Sequence, residues 1–126
     1  MSAEKPEVAM MKLPRRLIYP KTFAITRWQI AKLLKIDPSS ILRWEKWQHV
    51  LWVHIKGRGG HFVSYRKLKQ WVSACGVLLR ECLTLPALTE LWEAIQNPKE
   101  AKRYTEEGMA KLEGIWQRQR SRLSNS

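Results

Sequence analysis

The hydrophobic period of this chain changes twice, and those changes dictate the order of its elements. Between Arg27 and Lys35 the apolar residues Ile30, Ala31, Leu33 and Leu34 recur at helical spacing. The stretch VLWVHIK at 50–56 is dense in β-branched and aromatic residues, Gly57-Arg58-Gly59-Gly60 accepts positive φ cheaply, and HFVS at 61–64 resumes extended character. From Tyr65 the steps of three and four return, through Leu68, Trp71, Val72 and Cys75. Such a pattern predicts a mainly α fold with a small β-hairpin.

Local signals place the boundaries. Thr26 is a helix N-cap, and the first helix (27–35) must stop before Asp37-Pro38, because a residue preceding proline avoids the α region. Asp37 then caps a second helix, about 38–48, with Pro38 at its first position and Ile41 and Trp44 three apart on one face. Two helices so closely joined read as a helix-turn-helix, with the hairpin as a wing. Ser64 caps a third helix from Tyr65 to about Cys82, in which Gly76 is either a weak point or a stop, with continuation favoured. Thr84 caps a short helix carrying Leu88, Leu91, Trp92 and Ile95, which ends at Asn97-Pro98. A final helix spans about 99–122, striped by Ala101, Tyr104, Gly108, Leu112, Ile115, Gln119 and Leu123. The expected organisation is a flexible basic arm (1–21), a winged helix-turn-helix DNA-binding domain (22–82), a connecting helix (83–98), and a dimerisation helix with its tail (99–126).

Charge narrows the class of partner. The chain of 126 residues carries a formal +12, and the imbalance is local: residues 12–80 hold 15 basic and 2 acidic side chains, whereas residues 81–126 hold 7 of each. A basic working surface followed by a balanced assembly segment points to a polyanion, nucleic acid first. No run approaches the roughly 18 apolar residues of a membrane span, and the first 16 residues do not read as a secretory signal. A cytoplasmic, nucleoid-associated protein is the expectation. Cys75 and Cys82, roughly 10 Å apart along one helix, cannot pair and read as structural thiols, and no compact metal-ligand spacing joins them to His49, His54 or His61. No nucleophile triad, carboxylate pair or phosphate-binding loop is present, so neither an enzyme nor a bound cofactor is expected.

The segment 25–72, with Ile30-Ala31, Leu33-Leu34, Ser39-Ser40-Ile41, Arg43-Trp44, the Gly-rich tip and Leu68/Trp71, resembles the DNA-binding region of the MerR superfamily, including its excisionase-like branch. The resemblance implies a second helix in the major groove, a wing on the flanking backbone, and dimerisation through a C-terminal helix. It lacks the family's effector domain and the cysteines of its metal sensors, so it implies no small-molecule effector. A compact repressor or mobile-element regulator fits these departures.

Within that frame Arg43 is the candidate base reader, able to bond bidentately to guanine. Ser39, Ser40, Lys46 and Trp47 accompany it on the expected recognition helix, the serines serving equally as caps. Lys56, Arg58 and His61 are the wing contacts. Arg15, Arg16, Thr26, Arg27, Arg66 and Lys67 are candidates for the DNA backbone. Tyr104, Met109, Leu112, Ile115, Trp116 and Leu123 are the expected dimer interface. Of seven tryptophans, Trp44, Trp71, Trp92 and Trp116 fall on apolar stripes and read as core or dimer contacts, whereas Trp28, Trp47 and Trp52 remain open. The expected function is sequence-specific duplex-DNA binding by a homodimeric transcriptional regulator, acting as a repressor on an inverted repeat. The alternatives are an excisionase-like DNA-bending recombination factor and an RNA or single-strand binder that stacks bases on tryptophan.

Overall fold

The computed structural model describes residues 18–125. The chain is mainly helical with one small antiparallel sheet: α1 (Arg27–Leu34), β1 (Ile41–Lys46), β2 (Leu51–Ile55), β3 (Gly59–Val63), α2 (Lys69–Arg80), α3 (Leu85–Ile95), α4 (Pro98–Ala101) and α5 (Glu106–Ser124). The sheet order is β1-β2-β3.

Several local signals act as their chemistry requires. The Thr26 hydroxyl oxygen accepts from the Gln29 amide, and the Thr84 oxygen from the Ala87 amide, each fixing a helix start. Gly57 and Gly59 both take positive φ (77° and 78°) in the β2–β3 turn. Ser64 caps a single 3-10 turn, Tyr65–Lys67, and the α-helix proper begins later, at Lys69. That helix passes through Gly76 to Arg80. Gly76 is buried because α5 lies across it: a Cβ at Gly76 would come within 2.9 Å of Ile115 Cδ1.

The expected second helix is a strand. Asp37 does cap a turn, its Oδ1 accepting from the Ser39 amide at 2.8 Å, but that turn is one 3-10 unit, Pro38–Ser40. The chain then leaves it extended and pairs along β2, with Arg43 opposite His54, Trp44 opposite Val53 and Glu45 opposite Trp52. The register shifts between Ile41 and Arg43. That bulge adds one residue, so Ile41 and Trp44 share a face at a spacing of three. The same spacing in a sequence reads as helix, which explains the mistaken assignment. The fold class is therefore corrected in this respect: the helix-turn-helix lacks its second helix and the hairpin is a three-stranded sheet.

The last expected helix is two. After α4 the chain turns at Lys102–Arg103 and restarts at Thr105, whose hydroxyl oxygen accepts from the Gly108 amide at 2.9 Å. The break lets Tyr104 turn inward, where its hydroxyl accepts from Trp71 Nε1 at 2.9 Å.

One core runs through the described residues. Ile41, Leu51, Val53, Ile55 and Val63 from the inner face of the sheet join Ile30 and Ala31 of α1, Trp71, Cys75 and Leu79 of α2, Leu88 and Ile95 of α3, and Leu112 and Ile115 of α5. α5 packs along α2, and Trp116 stacks on Trp92 of α3 with centroids 4.9 Å apart and planes 7° from parallel. Burial of this apolar surface is the main stabilising term.

Candidate nucleic-acid interface

The helices cover only one face of the sheet. Alternation along β2 buries Leu51, Val53 and Ile55 and turns Trp52 and His54 outward. Cross-strand partners share a face, so Arg43 and Gly60 flank His54, while Glu45 and Phe62 flank Trp52. Trp47, just past β1, leans over the same face. Its ring is parallel to Trp52 within 4° at 6.2 Å, and it meets Phe62 at 60° and 5.4 Å. Phe62 is 64% exposed and Trp47 42%. His54 lies against Trp52 at 5.8 Å.

Polar groups hold these rings in place. Glu45 Oε1 accepts from Trp47 Nε1 at 2.9 Å, and Glu45 Oε2 accepts from Arg43 Nη1 at 2.7 Å. The Arg43 guanidinium lies 4.9 Å from the centroid of Trp52. Trp52 itself lies over Gly60, where a Cβ would meet its Nε1 at 2.5 Å. Glycine at this position lets the indole approach the sheet. The basic turn Lys56-Gly57-Arg58, exposed, stands at one end of this face.

The structure brings Arg43 and Trp47 together, as expected, but on a strand and its following turn. The other expected recognition residues lie elsewhere. Ser39 donates its hydroxyl to Asp37 Oδ1 and lies with Ser40 inside the 3-10 turn that Asp37 caps, at the far end of β1. Hydrogen bonds from the Ser39 amide and then its hydroxyl hold the Asp37 carboxyl below its ordinary pKa. Lys46 belongs to the inner row with Leu51, and its Nζ donates to the Phe23 carbonyl at 2.8 Å. His61 is exposed on the side of Val53, opposite to Phe62.

The helix-start residues divide similarly. Thr26 serves as a cap, and Arg27 donates to the Ile41 carbonyl and lies over the Trp44 ring at 5.3 Å. Arg66 is not a surface cation: it is 6% exposed, paired with Glu100 at 2.5 Å and stacked 4.6 Å over Trp71. Lys67 is exposed. Arg15 and Arg16 lie outside the described residues. The side chains expected at a dimer interface are used within the chain: Tyr104, Leu112 and Ile115 are buried, and Met109, Trp116 and Leu123 pack against the same core. Met109, Trp116 and Leu123 keep part of their surface exposed.

Trp52 was left open by the sequence, and His54, Phe62 and Glu45 were not singled out as its neighbours. The signal was present, since Trp52 and His54 alternate with Leu51, Val53 and Ile55 in a segment already read as strand. Burial pushes the Cys75 thiol up to about 11, against a smaller opposing effect of the Tyr104 hydroxyl, so it is an inert core group. Among the described residues no group of three or more His, Cys, Asp or Glu could hold a metal ion. No helix of the described residues is long and apolar enough to cross a membrane. Comparison with family models, curated proteins and solved structures found no match to this chain.

Proposed function

We propose that this chain binds single-stranded nucleic acid on the outward face of its sheet, stacking bases on Trp47, Trp52 and Phe62. Arg43, Lys56 and Arg58 draw in the phosphates. The observation that carries this reading is the exposed aromatic cluster itself, held in register on an antiparallel sheet inside the basic part of the chain. Large exposed rings cost solubility and are kept where something covers them. Bases stack on such rings for roughly 1–3 kcal/mol each, and basic neighbours supply the salt-dependent remainder. Neither catalysis nor a cofactor enters this reading.

The duplex-DNA regulator expected from the sequence stays as a second reading. One observation favours it: the β2–β3 ribbon ends in an exposed basic turn, and the major groove admits a two-stranded ribbon. Competition among duplex DNA, single-stranded DNA and RNA of one length separates the two. Single strands binding at least tenfold tighter than duplex, with Trp47→Ala and Phe62→Ala each weakening them about tenfold, support stacking. A duplex that outcompetes both single strands overturns it in favour of the ribbon.

A further inference from the structure

Residues 12–80 contain two carboxylates, Asp37 and Glu45. Asp37 is accounted for by its capping bonds to Ser39. Glu45, on the edge strand β1, ends the row of Trp52 and Phe62 at the rim of the aromatic face, with its side chain 43% exposed. A negative charge here opposes phosphate and weakens binding of any polyanion. Beyond holding Trp47 and Arg43, a carboxylate at the rim of this face offers acceptors that a neutral residue does not supply.

Both carboxylate oxygens are held, Oε1 by Trp47 Nε1 and Oε2 by Arg43 Nη1. Each oxygen keeps a second lone pair for another donor. Two acceptors side by side, followed by a guanidinium, form an ordered edge of acceptor, acceptor and donor. Guanine is the base whose Watson–Crick edge offers the complement, with the N2 amine, the N1–H and the O6 acceptor in sequence. Adenine and cytosine set a ring nitrogen lone pair against the carboxylate, and uracil or thymine offers one N–H between two carbonyls.

Resting on the stacking reading above, we propose that Glu45, with Arg43 beside it, selects guanine among the unpaired bases that stack on this face. N2–H and N1–H donate to Oε1 and Oε2, and O6 accepts from Arg43. Glu45 is thus the residue that confers base preference on a surface whose rings accept any base.

The test uses fluorescence anisotropy with single strands of one length, in thymine DNA and uracil RNA backgrounds, carrying isolated guanines, adenines or inosines at the same positions. Inosine lacks only the N2 amine. The full chain should bind guanine strands about tenfold tighter than adenine strands, and inosine strands more weakly than guanine strands, in both backgrounds, as a bidentate base contact discriminates. Glu45→Gln should bring guanine and adenine within about twofold; because it also gives up one of the two bonds to Trp47 and Arg43, the readout is the ratio of guanine to adenine affinity and not the affinity for the background strand. Equal binding of guanine and inosine by the unmodified chain overturns the proposal without any variant. So does a preference for guanine that survives Glu45→Gln. If the background strands themselves fail to bind, the stacking reading fails and base selection falls with it.

Discussion

Alanine at Gly60 puts the outward face of the sheet to a direct test. The added Cβ would lie 2.5 Å from Trp52 Nε1 and 3.1 Å from its Cε2, against the roughly 3.5–4.0 Å of a relaxed contact. The indole must therefore swing away by about 1 Å or more. In doing so it gives up its parallel stack on Trp47, at 6.2 Å and 4°, and the Arg43 guanidinium 4.9 Å from its centroid. An aromatic pair contributes about 0.5–1.5 kcal/mol and an exposed cation–π contact about 0.5–1 kcal/mol. The fold should lose on the order of 1–2 kcal/mol at most, because the ring is half-buried and can reseat. Binding should suffer more, since one displaced platform removes a base stack of roughly 1–3 kcal/mol, or about five- to 150-fold in affinity. Thermal denaturation reads the first quantity, anisotropy with a single strand reads the second, and near-ultraviolet circular dichroism reports whether the tryptophan pair has moved. Wild-type affinity alongside a changed dichroism spectrum would sink the platform role of Trp52. An unchanged spectrum would refute the packing of Trp52 over Gly60.

Other consequences concern the core. Leu112→Ala empties a fully buried position of α5 and should cost about 2–5 kcal/mol, with a denaturation midpoint independent of protein concentration; a midpoint that rises with concentration would return α5 to a dimer interface. Glu100→Ala removes the carboxylate paired with the buried Arg66 and should cost about 2–3 kcal/mol, below the full penalty for a buried pair because Glu100 is 21% exposed and Arg66 keeps its stack on Trp71; Arg66→Met combined with Glu100→Leu should recover most of that, and a loss under about 0.5 kcal/mol in the single variant would show that the ion pair contributes nothing. Cys75 should resist alkylation at pH 8 in the native protein and react in denaturant, as mass spectrometry of the labelled chain would show. Its thiol is raised from 9.0 to about 11 on folding, so the unfolded chain loses this proton first. The contribution to stability is therefore complete below pH 9 and is lost as pH rises through 11, a decline that Cys75→Ala should flatten.

Much of the fold was legible because its signals are local. A cap needs an oxygen and an amide two or three residues apart, and Thr26, Thr84 and Ser64 supply the oxygen in the positions where the structure uses it. Positive φ at Gly57 and Gly59 follows from the turn alone. The division of the tryptophans held as well: Trp71 and Trp92 are buried, and Trp44 and Trp116 are partly buried against the core. What failed was a period read across an irregularity. The bulge between Ile41 and Arg43 gave strand β1 a helical spacing, and nothing inside residues 38–48 marks it, because the bulge exists only relative to β2.

The candidate site was legible in its chemistry and not in its geometry. Arg43, Trp47, Lys56 and Arg58 lie on or beside the uncovered face, whereas Lys46, Arg27 and Arg66 turn to partners far along the chain: Phe23 for Lys46, Ile41 for Arg27 and Glu100 for Arg66. By itself the sequence determined the order of periods, the caps and turns, and the concentration of positive charge before residue 80. These depend on neighbours a few residues away and on composition. Tertiary structure alone decided that Ile41–Lys46 pairs as a strand, that α5 completes the chain's own core, and that one face of the sheet is left uncovered. Those outcomes are set by which distant surfaces meet, and burial of the Leu51, Val53 and Ile55 row beneath the helices is what turns Trp52, His54 and Phe62 outward together.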